Sequence, residues 1–154
     1  MDISAIDVDY SDGGRQHEPF QHLRSTALPF KEVLERLRAA IRAEDVMVLQ
    51  EIDPQAILAR SNYVIGAMRQ VLFFHPRLMT RLLGADPSAL LEAPLKFSVI
   101  AGREGLVHVR WQDPASAFAR YGKPALTKLG DELADLCRVI ADAALNTGRH
   151  ADFY

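Results

Sequence analysis

The chain has 154 residues, 49% hydrophobic and 25% charged, and its 18 Lys and Arg against 20 Asp and Glu give a net charge of −2. This is the make-up of one soluble globular domain, long enough to bury roughly 70% of its unfolded surface without a disulfide or metal, and too weakly charged for a general nucleic-acid binder. Cys137 is the single cysteine, no run approaches the roughly 18 apolar residues of a membrane span, and Asp2, Asp7 and Asp9 stand where a secretory signal would carry Lys or Arg, so a cytoplasmic, reducing compartment with no membrane and no nucleic-acid partner is expected.

Residues 1–20 hold Asp2, Asp7, Asp9, Asp12 and Glu18 against Arg15 alone, a local balance of −4 that leaves +2 for the rest. With Ser11-Asp12-Gly13-Gly14 and little periodicity, the stretch reads as an acidic, mobile extension ahead of one domain over 21–148, with 149–154 as a tail. His22 to Leu28 is a weak strand signal. Phe30, Val33, Leu34, Leu37, Ala40 and Ile41 then recur at three- and four-residue steps opposite Lys31, Glu32, Glu35, Arg36, Arg38 and Arg42, which predicts an amphipathic helix. Val46 to Ile52, Met68 to Phe74, Leu95 to Ala101 and Leu106 to Gln112 are short runs of aliphatic, β-branched and aromatic residues that predict strands.

Three Asp-Pro pairs, Asp53-Pro54, Asp86-Pro87 and Asp113-Pro114, mark helix starts. The carboxylate accepts from free N–H groups of the first turn, and proline lacks an N–H that would have gone unpaired. His75-Pro76 and Lys123-Pro124 mark two more, with weaker caps. Leu126, Leu129, Leu133, Leu136 and Ile140 predict a long final helix ending near Asn146 to Gly148. A mixed order of strands and helices with a hairpin near the end predicts an α+β fold with a largely antiparallel sheet of four to five strands.

If Gly102-Arg103-Glu104 form a three-residue hairpin loop, Val99 faces Val107, Phe97 faces Val109 and Leu95 faces Trp111. Lys96, Ser98, His108, Arg110 and Gln112 then share the other face as a polar, positive patch.

Several of these features together resemble the domain of unknown function 302 family. They are the helix Phe30 to Ile41, the strand ending Val48-Leu49-Gln50-Glu51-Ile52-Asp53, Phe73-Phe74-His75-Pro76, Ala93-Pro94-Leu95 leading into Phe97-Ser98-Val99-Ile100, and Trp111-Gln112-Asp113-Pro114. The resemblance runs from about Phe30 to Tyr121. It implies a β-α-β(4)-α order, a curved antiparallel sheet with helices on one face, an outline similar to the TATA-binding-protein repeat, and a frequent homodimer, but no agreed activity. The family often has a small polar residue where His75 precedes the proline. Some members carry cysteines beside the central strands that are missing here, so the resemblance implies no thiol-based role for this chain.

The five histidines, His17, His22, His75, His108 and His150, form no H-x-x-x-H or H-E-x-x-H spacing, so no metal site or cofactor is expected. His75, among Leu72, Phe73, Phe74 and Met79, is a candidate for a haem or flat apolar ligand, with helix capping as the competing reading. Lys96, Ser98, His108 and Arg110 are candidates for holding a carboxylate or phosphate, against a solvated sheet face or half of a dimer interface. Glu51 and Asp53 share a direction that acid–base work could use, although Asp53 is already a cap. Cys137 lies among Leu133, Leu136 and Ile140 as a small hydrophobe. No serine is tied by spacing to a histidine and an acid, and no phosphate-binding glycine loop occurs.

The expectation is a homodimeric module binding a small apolar or anionic ligand between the sheet face and the helix after His75. The alternatives are a structural or protein-interaction domain, and an enzyme using His75 or His108 as general base.

Overall fold

The computed structural model describes residues 4–146. In chain order it contains β1 (Ile6–Asp7), β2 (Gln21–Thr26), α1 (Phe30–Ala43), β3 (Met47–Ile52), α2 (Pro54–Ala59), β4 (Tyr63–Val64) and β5 (Met68–Phe74). There follow α3 (Pro76–Ala85), a 3-10 helix (Pro87–Glu92), β6 (Leu95–Ala101), β7 (Val107–Gln112), α4 (Pro114–Ala119) and α5 (Pro124–Leu145). The main sheet is antiparallel throughout, in the order β2-β7-β6-β5-β3. It is open, and the expected α+β class and strand number hold. The expected tail, 149–154, lies outside the described residues.

Proline-led starts account for most of the helices. Asp53, Asp86 and Asp113 accept from Ala56, Ser88 and Ala115 N–H at 3.0, 2.9 and 3.2 Å. His75 does the same through Nδ1, taking Arg77 N–H at 3.0 Å, so its helix-cap reading is the one the structure displays. Lys123 offers no side-chain cap to α5.

One face of the sheet is the core face. Val71, Phe73, Phe97, Val99, Val109 and Trp111 are buried against Val33, Leu37 and Ile41 of α1 and Leu133, Cys137 and Ile140 of α5. Phe73 stacks on Phe97 at 5.0 Å between ring centres, and Phe97 meets Trp111 edge-on at 5.5 Å. Aromatic pairs at such distances gain about 0.5–1.5 kcal/mol beyond the apolar area they bury. At its borders the core face is tied to the helices by charge: Arg38 of α1 grips Glu51 of β3 with two bonds of 2.7 and 2.8 Å, and Arg24 of β2 lies 3.5 Å from Asp142 of α5.

The hairpin differs from expectation by two residues. Val99 pairs with Val109, Ile100 with His108 and Ala101 with Val107, and the loop is Arg103-Glu104-Gly105, closed by Gly102 N–H on Leu106 O at 2.8 Å. The reason is backbone conformation. Glu104 and Gly105 both take positive φ, 63° and 72°, and a short loop places its glycine where that left-handed geometry is needed, not inside the next strand. A shift of two keeps every side chain on its face, so Lys96, Ser98, His108, Arg110 and Gln112 still point away from the core face.

Within the stretch expected as a mobile acidic extension, the described residues 4–20 make contacts with the domain. β1 pairs in parallel with β4, Ile6 opposite Tyr63 and Asp7 opposite Val64. Gly66 N–H then donates to the Tyr10 hydroxyl at 2.9 Å, and Asp12 accepts from Gly14 N–H at 2.8 Å and Arg103 N–H at 2.6 Å.

Candidate functional site

The strand pair β6–β7 is not zipped along its whole length. Its ladder stops at Ser98 opposite Arg110. On either side the neighbouring ladders run on, β5–β6 to Phe73 opposite Leu95 and β2–β7 to Gln21 opposite Gln112. The sheet therefore parts between two of its inner strands, beyond Ser98 on one and Arg110 on the other. Prolines stand at this same end of both strands: Pro94 just before β6 and Pro114 just after β7. Proline cannot donate to a ladder, so neither flank can extend the pairing through its own N–H.

A cavity of about 330 Å³ occupies the split, within the 300–1,000 Å³ typical of small-molecule sites. Lys96, Ser98, Arg110 and Gln112 line its outer side; Leu95, Trp111, Phe118 and Cys137 line the side nearer the core. The 3-10 helix contributes Leu91 and Glu92, and the start of β2 contributes Phe20 and Gln21. Thus a polar mouth carrying two cations leads to an apolar wall.

The charges are unequally committed. Lys96 is exposed and has no ion-pair partner among the described residues. Arg110 donates through Nη2 to the carbonyls of Gly14 and Gln16, each at 3.0 Å. The one carboxylate in the wall, Glu92, is already occupied by Arg120 at 3.1 Å and the Tyr121 hydroxyl at 3.0 Å, and burial together with that carboxylate pushes the Tyr121 phenol up. At the foot of β7, burial raises the Asp113 carboxyl, but bonds from the Ser116 hydroxyl and Ala115 N–H, with His22 nearby, outweigh it and hold the group below its ordinary range. Cys137 is 2% exposed, and burial, with Asp113 adding to it, pushes its thiol up to about 12. It stays protonated at neutral pH and serves as wall, not as nucleophile.

Of the five residues singled out from sequence, the structure brings Lys96, Ser98 and Arg110 to this cavity and leaves the two histidines elsewhere. His75 caps α3. His108 is the one buried polar residue among the described residues, 2% exposed, with its Nδ1 2.8 Å from Ser25 Oγ. Glu51 and Asp53 do not form a working pair, since Glu51 is held by Arg38, and Asp53 caps α2 while lying 2.8 Å from Arg69. Trp111, Phe118 and Leu91 escaped sequence reasoning because each carries an ordinary core or helix pattern. The available signal was the pair of prolines at one end of a hairpin.

A family model described as "Domain of unknown function DUF302" matches residues 21–144. The chain belongs to the DUF302 family. A solved structure of an uncharacterized conserved DUF302 protein from Bacillus stearothermophilus is similar, with 17% identity and a TM-score of 0.75 over 82% of this chain and 99% of that one. At that identity the likeness shows the fold. None of the curated proteins matches. In this DUF302 chain the cavity lies wholly within the matched segment apart from Phe20, whereas the described residues before it, 4–20, precede the family domain. No helix among the described residues is long and apolar enough to cross a membrane.

Proposed function

We propose that this chain is a small-ligand-binding module that takes an amphipathic anion in the split between β6 and β7. The observation that carries the reading is the ending of the ladder at Ser98 and Arg110 over a cavity of about 330 Å³ whose mouth bears Lys96 and Arg110 and whose only carboxylate is already engaged. A carboxylate at the mouth would take charge-assisted bonds from the Lys96 ammonium and the Arg110 guanidinium, and a neutral one from the Ser98 hydroxyl. An apolar body of one ring or a short branched chain would lie against Trp111, Phe118 and Leu95. A free cation is a better anchor here than a paired one, because no existing ion pair has to be broken to use it.

Titration calorimetry with benzoate and hexanoate, beside benzyl alcohol and benzylamine, tests this. The acids are expected to bind saturably, the alcohol far more weakly, and the amine not at all. Lys96→Gln should weaken the acids by about ten-fold, the lower end of what a hydrogen bond to a charged group contributes. Equal binding of acid and alcohol, or no saturable binding of either acid, sinks the proposal.

A further inference from the structure

We infer that residues 4–18 are a strap that holds the anion subsite of the split shut, competing with the ligand for Arg110. The inference rests on the ligand-binding reading above and concerns the regulation of that same site.

Arg110 faces two ways. Its side chain lines the cavity mouth, and its Nη2 is taken by two main-chain carbonyls of the N-terminal stretch, Gly14 O and Gln16 O, both at 3.0 Å. Nη2 belongs to both bidentate edges of a guanidinium, so these oxygens occupy the nitrogen that a carboxylate gripping Arg110 with both of its own would use. The fit is close: a Cβ on Gly13 would fall 2.7 Å from Arg110 Nη2, which would have to shift, and Gly13 itself has φ +76°, a left-handed conformation that strains any other residue. Asp12 pins the same turn. Its carboxylate accepts from Gly14 N–H and from Arg103 N–H on the hairpin loop, and those two bonds hold its carboxyl below the ordinary range.

Further fastenings are polar and, apart from one at Gln21, lie outside the cavity lining. They include the Asn62 side-chain amide on Ser4 O at 2.9 Å, the two-residue pairing of β1 with β4, Gly66 N–H on Tyr10, and Gln21 N–H on Glu18 O at 2.9 Å. Ile6 and Val8 stay exposed, so the strap buries little apolar surface and is held by hydrogen bonds that water can replace. That is the composition of a segment that opens easily. A carboxylate, unlike a carbonyl, carries a full charge to the guanidinium and makes the stronger bond. A carboxylate that grips Arg110 with both oxygens and the strap thus compete for Nη2, and the strap's hold lowers apparent affinity by the fraction of time it is shut.

The experiment uses the full chain with sodium benzoate as probe. Amide hydrogen exchange of residues 6–16 is followed with and without benzoate, and benzoate affinity is measured for wild type, Asp12→Asn and Gly13→Val. Saturating benzoate is expected to speed exchange several-fold at Gly14 to Gln16. Both variants are expected to bind benzoate about two- to ten-fold more tightly, because a site shut for half to nine-tenths of the time gains that much on release. Wild type that binds benzoate with no change in strap exchange, together with variants of unchanged affinity, overturns the strap while leaving the site standing. Absence of benzoate binding in all three proteins overturns both.

Discussion

The two ends of the β6–β7 pair show one alternating pattern meeting two different fates. At the loop end, Ala101 pairs with Val107, the turn closes through Gly102 and Leu106, and Val99, Val107 and Val109 are buried. At the other end the same alternation continues in Phe97 and Trp111, yet the ladder is gone and a cavity with a charged mouth replaces it. Side-chain periodicity is identical at both ends, so it decides which face is buried but not whether strands stay paired. The flanks differ, with a positive-φ turn at one end and a proline beyond each strand at the other.

The largest effect is expected where the core face meets the split. Phe97 is fully buried between Phe73 and Trp111, so Phe97→Ala should cost about 3–5 kcal/mol, measured by urea or thermal unfolding. A loss below about 1 kcal/mol would mean that the split end already lacks close packing. Gly130→Ala comes next. A Cβ there would sit 2.7 Å from Phe118 Cβ and 3.0 Å from Pro114 O, which are parts of α4 and the cavity wall. Overpacking of this kind costs about 1–3 kcal/mol, and the better helix propensity of alanine returns up to about 1 kcal/mol. Net destabilisation together with altered ligand affinity is expected, and a stabilised protein would show that α4 can slide away freely.

Most of the fold is legible in the chain. The helix from Phe30, four of the five strands of the main sheet and the three aspartate caps follow from spacing and from the chemistry of helix ends. The hairpin register is not legible in the sequence because Gly102 and Gly105 are both plausible loop residues, and only the paired backbone shows that Gly105 is the one with positive φ. Half of the site was legible for a related reason. Alternation places Lys96, Ser98 and Arg110 on one face, but the same rule adds His108, which the structure buries beside Ser25. The path of residues 4–20 was illegible because it rests on main-chain partners such as Gly14 O and Arg103 N, and side-chain patterns carry no trace of those.

A moderate effect should distinguish the split end through its cap. Asp113 closes β7, caps α4 through Ala115 N–H and holds the Ser116 hydroxyl at 2.6 Å. Asp113→Ala removes both bonds and should cost about 1 kcal/mol, as loss of an N-cap generally does. Because α4 supplies Phe118 to the cavity, the same variant should also weaken a bound carboxylate. Retained affinity with lost stability would separate α4's structural part from its part in the site.

The smallest effect is expected from acid, and it bears on the third wall of the cavity. Asp86 caps the 3-10 helix that carries Leu91 and Glu92, and lies 2.9 Å from the Lys123 ammonium at the start of α5. That ammonium, followed by the Ser88 hydroxyl and N–H, lowers the carboxyl from 3.8 to about 2. A group whose pKa falls on folding stabilises the fold while it is ionised. Its contribution is therefore present above about pH 4 and disappears as the pH falls through about 2. In Asp86→Asn the part of the acid transition between those values should flatten relative to wild type, read by thermal melts at half-unit steps. Leu91, 88% exposed, should then show loosening of its segment by hydrogen exchange in wild type at low pH, before Phe97 and its neighbours yield. If both melt together, the wall and the core face are one cooperative unit, and the difference between the two ends of β6–β7 is one of pairing alone.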